Sequence, residues 1–479
     1  MKTAVSTLVL TMFIAHGALA QDATIKQKQK PVPAKAASTS LPAAQKGGGA
    51  KSTAVKLGQP ENKPLNTSTA QATVGSAAER YIEQPDSAYF IQRDPLNVFD
   101  RPRTDLDANG IRFGSFIAKP SVELGTEYNS NIFTSEQNVE ADTIFKVSPT
   151  LDVKSDWNRN QLNFKAGLTS AAYRNNDEQD WTDALLAANG AIDITTGQYI
   201  SGGFSFQRLH EERGFPNTAN VVSNLGPTLY NVSAANIGYT RKVGQIGLSV
   251  AYDAVDYNYL DNENVRNDDR DRFDNIGTAR VGYEFMRGYE VFARGSLSDR
   301  QYADFRDDNG FARGGEGYEA VLGADFRLTG TLSGDVYAGQ ASKSFDDIRF
   351  RDVDSFVYGS SLLWFPTQLT SIKFQVDRSI EDAVLSGASS YIQSDHFIRV
   401  EHELQRNFLV SANAGYSEFD FQGGVDREDK IYNAGVGGKY LVSRNVYIGG
   451  DYQLRQRNSD ATFSDYQQQV VMATIGLRY

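Results

Sequence analysis

The chain has 479 residues, no cysteine and a formal net charge of −11. The missing cysteines exclude disulfide frameworks, thiolate metal sites and a lipid anchor on cysteine. Residues 1–63 carry nine Lys, no Arg and two acidic residues, about +7, so the rest of the chain carries about −18. An acidic body without a basic and aromatic module gives no support for nucleic-acid binding.

The first twenty residues have the pattern of a secretory signal peptide. Met1-Lys2 is followed by an apolar stretch over 4–15, and Ala18 and Ala20 form an A-x-A cleavage site. The apolar stretch is too short to span a bilayer as a helix. We therefore expect export through the inner membrane with cleavage after Ala20.

Residues 21–85 are rich in Lys, Ala, Ser, Gly, Pro and Gln and have almost no aromatic side chains. Such a segment buries too little apolar surface to offset its ordering entropy, so we predict a disordered periplasmic linker. Either it acts as a passive spacer or it touches peptidoglycan or an acidic partner. Residues 86–114 are interpreted as a periplasmic lead-in segment, and the sequence leaves open whether they enter the lumen of the following domain.

From Phe116 onward, alternating segments are joined in turn by short turns and longer polar loops. Gly, Asn and Pro in the short turns supply the backbone angles of tight hairpins. The eight short turns fall at 157–159, 195–197, 242–244, 286–288, 328–330, 365–367, 405–407 and 443–445. The nine loops fall at 129–142, 174–180, 211–229, 256–274, 303–315, 345–354, 380–391, 423–430 and 457–466.

These connections define about eighteen strands, with both chain ends on the short-turn side. In one strand Ile246, Leu248 and Val250 alternate with Gly247 and Ser249, a period of two. The fold class is therefore all-β: a transmembrane, antiparallel, up-and-down β-barrel over residues 115–479. A single strand does not separate a barrel from a soluble sandwich. The signal peptide, the unbroken hairpin repeat and the last residue together favour the barrel.

The chain ends inside an alternating strand. Its apolar row ends on an aromatic residue and consists of Val471, Ala473, Ile475, Leu477 and Tyr479. This row is similar to the last strand of bacterial outer-membrane barrels, which the barrel-insertion machinery reads as a signal. The alternative is an ordinary edge strand of a soluble β protein.

The segments at 100–116, 120–133 and 147–159 include Asp100-Arg101-Pro102-Arg103, Tyr128-Asn129-Ser130-Asn131 and Ser155-Asp156-Trp157-Asn158-Arg159. They resemble the putative beta-barrel porin type 2 family. The resemblance is specific in sequence over about residues 98–175, and from there to Tyr479 it is a resemblance of architecture. Asn160 stands where many relatives have His. The resemblance implies an outer-membrane barrel, and it implies outward passage of secreted polysaccharide with periplasmic export proteins as partners.

Eighteen strands leave a water-filled lumen. The alternation predicts that the lumen is lined by Lys119, Glu123, Lys146, Asp152, Lys165, Arg280, Glu284, Arg294, Glu319, Asp325, Arg327, Tyr337, Lys373, Asp377, Arg399, Glu401, Glu403, Lys439, Asp451 and Arg455. Mixed charges suit many weak hydrogen bonds with a polar chain such as a glycan. Alternatively, they pair with each other across strands. Inward Tyr337 and Tyr447 are candidates for stacking on sugar rings.

No motif supports catalysis, so we expect no enzyme, no cofactor and no metal site. Glu401 and Glu403 lie at a spacing near that of glycosidase carboxylates, but the adjacent Arg399 favours an ion pair. The carboxylates at 261–271 lack the geometry of a calcium-binding loop. Solvated charge, or divalent bridging to lipopolysaccharide, is the better interpretation.

Three functions remain, all in the bacterial outer membrane with its lipid and lipopolysaccharide as partners. The first is a channel that exports a polysaccharide, with the glycan as substrate. The second is a general diffusion porin for small hydrophilic solutes. The third is a structural or adhesive surface barrel, which a lumen plugged by residues 86–114 or by inward loops would favour.

Overall fold

The computed structural model describes residues 97–217, 226–261, 266–328, 331–383 and 385–479, without the side chains of residues 327 and 328. The predicted signal peptide and linker lie outside the described residues. Within them, no helix is long and apolar enough to cross a membrane.

The described residues form nineteen strands and two single-turn 3₁₀ helices. The strands are β1 (Ile111–Phe113), β2 (Phe116–Asn129), β3 (Asp142–Ser155), β4 (Gln161–Tyr173), β5 (Trp181–Thr195), β6 (Gln198–His210), β7 (Leu229–Val243), β8 (Ile246–Tyr259), β9 (Arg272–Met286), β10 (Tyr289–Tyr302), β11 (Gly315–Leu328), β12 (Leu332–Lys343), β13 (Val353–Thr367), β14 (Thr370–Asp382), β15 (Ala388–Gln405), β16 (Phe408–Gly423), β17 (Glu428–Leu441), β18 (Val446–Ser459) and β19 (Tyr466–Arg478). The 3₁₀ helices span Asp177–Gln179 and Asp268–Arg270.

Strands β2 to β19 form one closed antiparallel barrel. Each pairs with its neighbour in sequence, and β19 pairs back with β2, for example Val471 opposite Tyr128. The backbone N–H of Tyr479 extends this seam by donating to the Pro120 carbonyl at 3.0 Å. The short β1 folds back onto β2. The predicted closed barrel of eighteen strands is confirmed.

The eight predicted short turns fall between strands that meet at one end, the turn end, and residues 329 and 330 of one turn lie outside the described chain. At Gly244 the backbone has φ +61°, the left-handed region that a tight hairpin requires and that glycine adopts without strain. The nine loops lie at the other end, the loop end. They are L1 (130–141), L2 (174–180), L3 (211–228), L4 (260–271), L5 (303–314), L6 (344–352), L7 (383–387), L8 (424–427) and L9 (460–465).

The strands are longer at the loop end than the sequence predicts. The predicted loop 256–274 is wrong at both edges, because β8 continues to Tyr259 and β9 begins at Arg272. The predicted loop 380–391 shrinks to L7 for the same reason. Polar residues in these strand ends resemble loop composition, yet they pair in a regular ladder.

The two faces of the barrel wall differ in exposure. The C-terminal row lies on the outer face, where Val471 is 50 % and Tyr479 is 59 % exposed. In β5, whose two faces are both apolar, Leu186 points outward at 57 % exposure while Leu185 is buried inside. Tertiary structure thus fixes the register where sequence alternation is weak.

Candidate functional site

The inner face of the barrel is the candidate functional site. In β8, Ser249 and Ala251 are partly covered by the rest of the barrel, whereas Val250 between them is 54 % exposed on the outside. Side chains of successive residues point to opposite faces of a strand, so one row per strand lines the lumen.

The strand registers place nineteen predicted lumen residues on the inward rows. These are Lys119, Glu123, Lys146, Asp152, Lys165, Arg280, Glu284, Arg294, Glu319, Asp325, Tyr337, Lys373, Asp377, Arg399, Glu401, Glu403, Lys439, Asp451 and Arg455. Arg327 lies in β11, but its side chain is outside the described part of the chain.

Opposite charges pair along this inner wall. Ion pairs join Arg294 to Glu319 (3.0 Å), Arg399 to Glu401 (2.9 Å), Lys146 to Glu127 (2.6 Å), Arg280 to Glu290 (2.5 Å) and Lys242 to Glu284. Lys119, Asp152 and Lys165 are direct neighbours on three adjacent strands, which places alternating charges side by side. Glu127 and Glu290 are not among the residues predicted from the sequence, and the strand registers and ion pairs identify them as lumen partners.

Arg280 and Arg294 lie directly opposite each other on β9 and β10. Like charges at such positions repel, and the ion pairs of Arg280 with Glu290 and of Arg294 with Glu319 offset the repulsion. The Arg280 guanidinium stacks on Phe292 with its carbon 4.2 Å from the ring centre. The two arginine side chains stay 28 % and 16 % exposed, so both guanidinium groups reach the lumen beside their carboxylate partners.

The two inward tyrosines proposed for sugar stacking have cations over their rings. Arg294 lies 4.4 Å from the ring centre of Tyr337, and Lys439 lies 3.8 Å from that of Tyr447. Their hydroxyls donate to Asp377 and Glu123 respectively. A sugar would have to compete with a cation for the covered ring face.

Near the loop end, a charged network connects β9, β10, β12 and β14. Arg300 binds Asp274 at 2.6 Å, and Arg272 lies 3.6 Å from the same carboxylate. Asp382 accepts from both Arg300 and Lys343. Sequence analysis missed this network because it assigned Arg272, Asp274 and Asp382 to loops.

Loop L3 crosses the lumen. It connects β6 to β7. In the ring of eighteen strands, β6 and β7 lie nine positions from β15 and β16, so the two strand pairs are on opposite sides of the barrel. The amide of the fully buried Asn217 donates to the Asp382 carbonyl at 2.9 Å on the far wall. Phe215 packs edge-on against Phe419, with ring centres 5.1 Å apart. L3 therefore forms a crossbar, although residues 218–225 lie outside the described chain.

The crossbar is anchored on its way to the far wall. Glu211 pairs with Arg270 at its root, and Arg213 donates to Gln179 in L2 at 2.7 Å. Gly214 has φ +80°, and a Cβ atom there would lie 2.8 Å from Thr134 in L1. Only glycine fits this contact without displacing L1. The described residues 211–217 are thus held at the loop end by contacts to L1, L2 and L4.

At the turn end, the lead-in residues 97–109 enter the mouth of the lumen. We call them the strap. The backbone N–H of the fully buried Val98 donates to Ser371 Oγ at 2.9 Å, and Arg103, 3 % exposed, pairs with Glu403 at 2.8 Å. Farther along, Arg478 donates to the Leu106 carbonyl at 2.8 Å. The strap follows the rim from β19 to β14, one third of the circumference.

The histidines and the paired glutamates have local partners. His210 Nδ1 contacts Asp183 at 3.0 Å, and His402 Nδ1 contacts Thr370 at 2.9 Å. Glu401 and Glu403 are engaged by Arg399 and the strap, in keeping with the ion-pair interpretation. Among the described residues, no group of His, Asp and Glu has the arrangement of a metal site.

The acidic residues of L4 are used within the loops. Asp271 accepts from the Tyr259 backbone N–H at 2.6 Å and from Asn258 at 3.1 Å. Asp269 accepts from the Asp308 N–H at 3.3 Å, which joins L4 to L5. These carboxylates order the loop end, and residues 262–265 between them lie outside the described chain.

Comparison with known proteins gives a family match over most of the chain. The family model described as "Putative beta-barrel porin 2" matches residues 103–479. Comparison with curated proteins finds no match.

Solved outer-membrane structures resemble the barrel weakly. The outer membrane protein OpdK from Pseudomonas aeruginosa is 12 % identical over 76 % of this chain and 99 % of its own, with a TM-score of 0.39. A BenF-like porin from Pseudomonas fluorescens Pf-5 is 8 % identical over 76 % and 99 %, with a TM-score of 0.41. OccAB3 from Acinetobacter baumannii is 9 % identical over 77 % and 100 %, with a TM-score of 0.40. The assignment does not rest on these similarities.

The family match begins inside the strap and continues through β19 to the last residue, so it includes both the barrel and the segment that enters its mouth. The chain therefore belongs to the Putative beta-barrel porin 2 family of outer-membrane β-barrels.

Proposed function

We propose that the protein is a diffusion channel for small hydrophilic solutes. The observation that carries this proposal is the crossbar. Residues 211–217 cross the loop-end mouth of the lumen and lie against L1, L2 and the β14–β16 wall. A channel narrowed in this way suits solutes that pass one at a time through a polar opening.

We place the passage along β8 to β13, because the crossbar contacts L1 and L2 on its other side. The strap covers the periplasmic rim from β14 to β19, so the same side is also the less obstructed one at that end. The wall there carries both signs of charge, including Arg280, Arg294 and Glu319. Such a wall binds polar solutes weakly and lets them leave, as conduction requires.

Polysaccharide export, the first of the sequence-based hypotheses, has weaker support than diffusion. A hydrated glycan chain needs a continuous wide lumen, whereas one loop crosses this lumen and a segment occupies part of its mouth. Comparison with known proteins offers nothing in favour of export, and the family match fits a porin. Periplasmic export partners are accordingly not part of the proposal.

A structural barrel is the second candidate, and the crossbar and strap together favour it, because both obstruct the lumen. The two functions differ in one measurable property. A diffusion channel conducts ions and passes small solutes, and a structural barrel does neither.

The test is reconstitution of the mature chain in planar bilayers and in liposomes. For a diffusion channel we expect discrete single-channel steps in KCl and liposome swelling that falls steeply from a pentose to a trisaccharide. Barrel folding is checked by the mobility shift between unheated and heated samples on a gel. Folded protein that neither conducts nor swells liposomes would favour the structural barrel, and passage of long dextrans would restore the export hypothesis.

A further inference from the structure

We propose that the strap is a releasable gate at the periplasmic mouth, an inference that rests on the proposed channel function. Its innermost residue, Val98, is fully buried against the inner wall, and Phe99 donates its N–H to Glu401 Oε2 at 3.3 Å. The strap therefore lies inside the mouth and not beneath it. It covers the β14 to β19 side of the mouth, so its release adds that side to the passage along β8 to β13.

Hydrogen bonds and ion pairs hold the strap at several points, in addition to the buried side chain of Val98. Inside the mouth they are the Val98–Ser371 hydrogen bond and the Arg103–Glu403 ion pair. On the rim, the Arg406 guanidinium binds the Asp105 carboxylate with Nε at 2.8 Å. Arg444 adds a bond to the Asp105 carbonyl at 3.1 Å.

Polar contacts of this kind exchange readily for water. When the strap leaves, its donors and the wall acceptors face an aqueous mouth and regain hydrogen bonds, so each contact contributes little net free energy. Neither of the two apolar clusters of buried residues in the described chain includes a strap residue. Val98 is the single buried apolar side chain among residues 97–109, so apolar burial holds the strap at one point only.

One buried group also opposes docking. The Nε atom of Arg103 is buried and has no hydrogen-bond partner among the described residues. A buried donor without a partner is costly, and release returns it to water. The ion pair between Arg103 and Glu403 must offset this cost when the strap is docked. We call this ion pair the latch.

The chain has no native cysteine, so a disulfide can lock the latch region selectively. Val98 N and Ser371 Oγ are 2.9 Å apart, so the two residues are direct neighbours. A cysteine at each position can therefore be tested for disulfide formation. The full mature chain carrying V98C and S371C is reconstituted in planar bilayers and recorded oxidised and then reduced. The single variants V98C and S371C are the matched controls, and a strap deletion lacking 97–109 defines the open level.

We expect the reduced double variant to switch between a lower and an upper conductance level. The upper level should match the strap deletion, and oxidation should leave only the lower level. The single variants should not respond to oxidation. Identical traces before and after reduction, or a reduced chain that never reaches the level of the deletion, would show that the strap is a fixed part of the wall.

A charge-exchange series tests the latch without a crosslink. R103Q and E403Q should each increase the time spent at the upper level, and the exchanged pair R103E with E403R should restore wild-type occupancy. Arg112→Gln is the control, because its ion pair with Asp156 on the same rim is exposed and outside the strap. If no form conducts, including the strap deletion, the channel function fails and the gate with it. If all forms conduct alike, only the gate fails.

Discussion

At the scale of single residues, the lumen wall is built from charges that compensate each other locally. Arg280 and Arg294 lie opposite each other on adjacent strands, and they form ion pairs with Glu290 and Glu319 respectively. Removal of one of these arginines leaves its carboxylate partner unpaired in the lumen. An uncompensated charge there acts strongly on passing ions.

The first prediction concerns ion selectivity. Arg280→Gln with Arg294→Gln should shift the channel towards cations, with the cation-to-anion permeability ratio rising about twofold or more. The reversal potential under a KCl gradient measures this ratio. Lys430→Gln is the control, since Lys430 pairs with Glu428 on the outer face. An unchanged reversal potential in the double variant would mean that ions pass elsewhere.

The second prediction concerns pH and L4. Burial raises the pKa of the Asp271 carboxyl from 3.8 to about 6, and nearby Asp256 and Asp268 act in the same direction. The folded loop therefore binds this proton more tightly than an opened loop. Its local stability should fall as the pH rises from about 4 to 6 and stay low above that.

Hydrogen exchange at the Tyr259 amide, which donates to Asp271, measures this effect. After correction for intrinsic rates, protection should be greater at pH 5 than at pH 7.5. In Asp271→Asn, which keeps an acceptor oxygen and does not titrate, the difference should vanish. A pH dependence that persists in the variant would assign it to another group.

At the scale of elements, the crossbar depends on a few contacts at its far end. Phe215 reaches a cluster that includes Tyr391, Phe419 and Phe421 in β15 and β16. Aromatic contacts and apolar burial of this kind are the main favourable terms in docking a loop.

The third prediction is that Phe215→Ala weakens docking of the crossbar by about 2 kcal/mol. Single-channel recordings should then show higher open-channel noise and a larger mean conductance. Phe305→Ala in L5 is the control, because that ring is 69 % exposed. Equal traces for the two variants would show that the crossbar does not limit the passage.

At the scale of the whole molecule, closure of the barrel depends on the pairing of its last strand with its second. Tyr479 both ends the outward apolar row and donates its N–H across this seam to Pro120. A closed sheet has no edge, which is what lets strands cross a membrane.

The fourth prediction is that deletion of Tyr479 lowers the yield of folded barrel in the outer membrane. The deletion removes the expected insertion signal together with the seam hydrogen bond to Pro120. The folded fraction is measured as the band that migrates faster without heating. Tyr440→Ala removes an outward aromatic at the same end of the barrel, 44 % exposed, and should leave the yield nearly unchanged. An equal loss in both variants would point to general destabilisation.

The amino-acid sequence by itself determined the architecture. Strand alternation and turn residues act locally, so the hairpin count, both faces of strands such as β8 and the terminal row follow from neighbours in the chain. The polar strand end that contains Arg272 and Asp274 was predicted to be a loop, because its composition is typical of loops. Their ladder pairing depends on the adjacent strand.

Only the tertiary structure decided what occupies the lumen. The crossbar joins Asn217 to Asp382, and the strap joins Arg103 to Glu403, contacts between residues 165 and 300 positions apart. No local pattern encodes such contacts, because they exist only once the barrel has closed and brought its opposite walls and its rim within reach of these segments. The sequence specifies a barrel, and long-range packing turns it into a barrel with a crossbar and a strap.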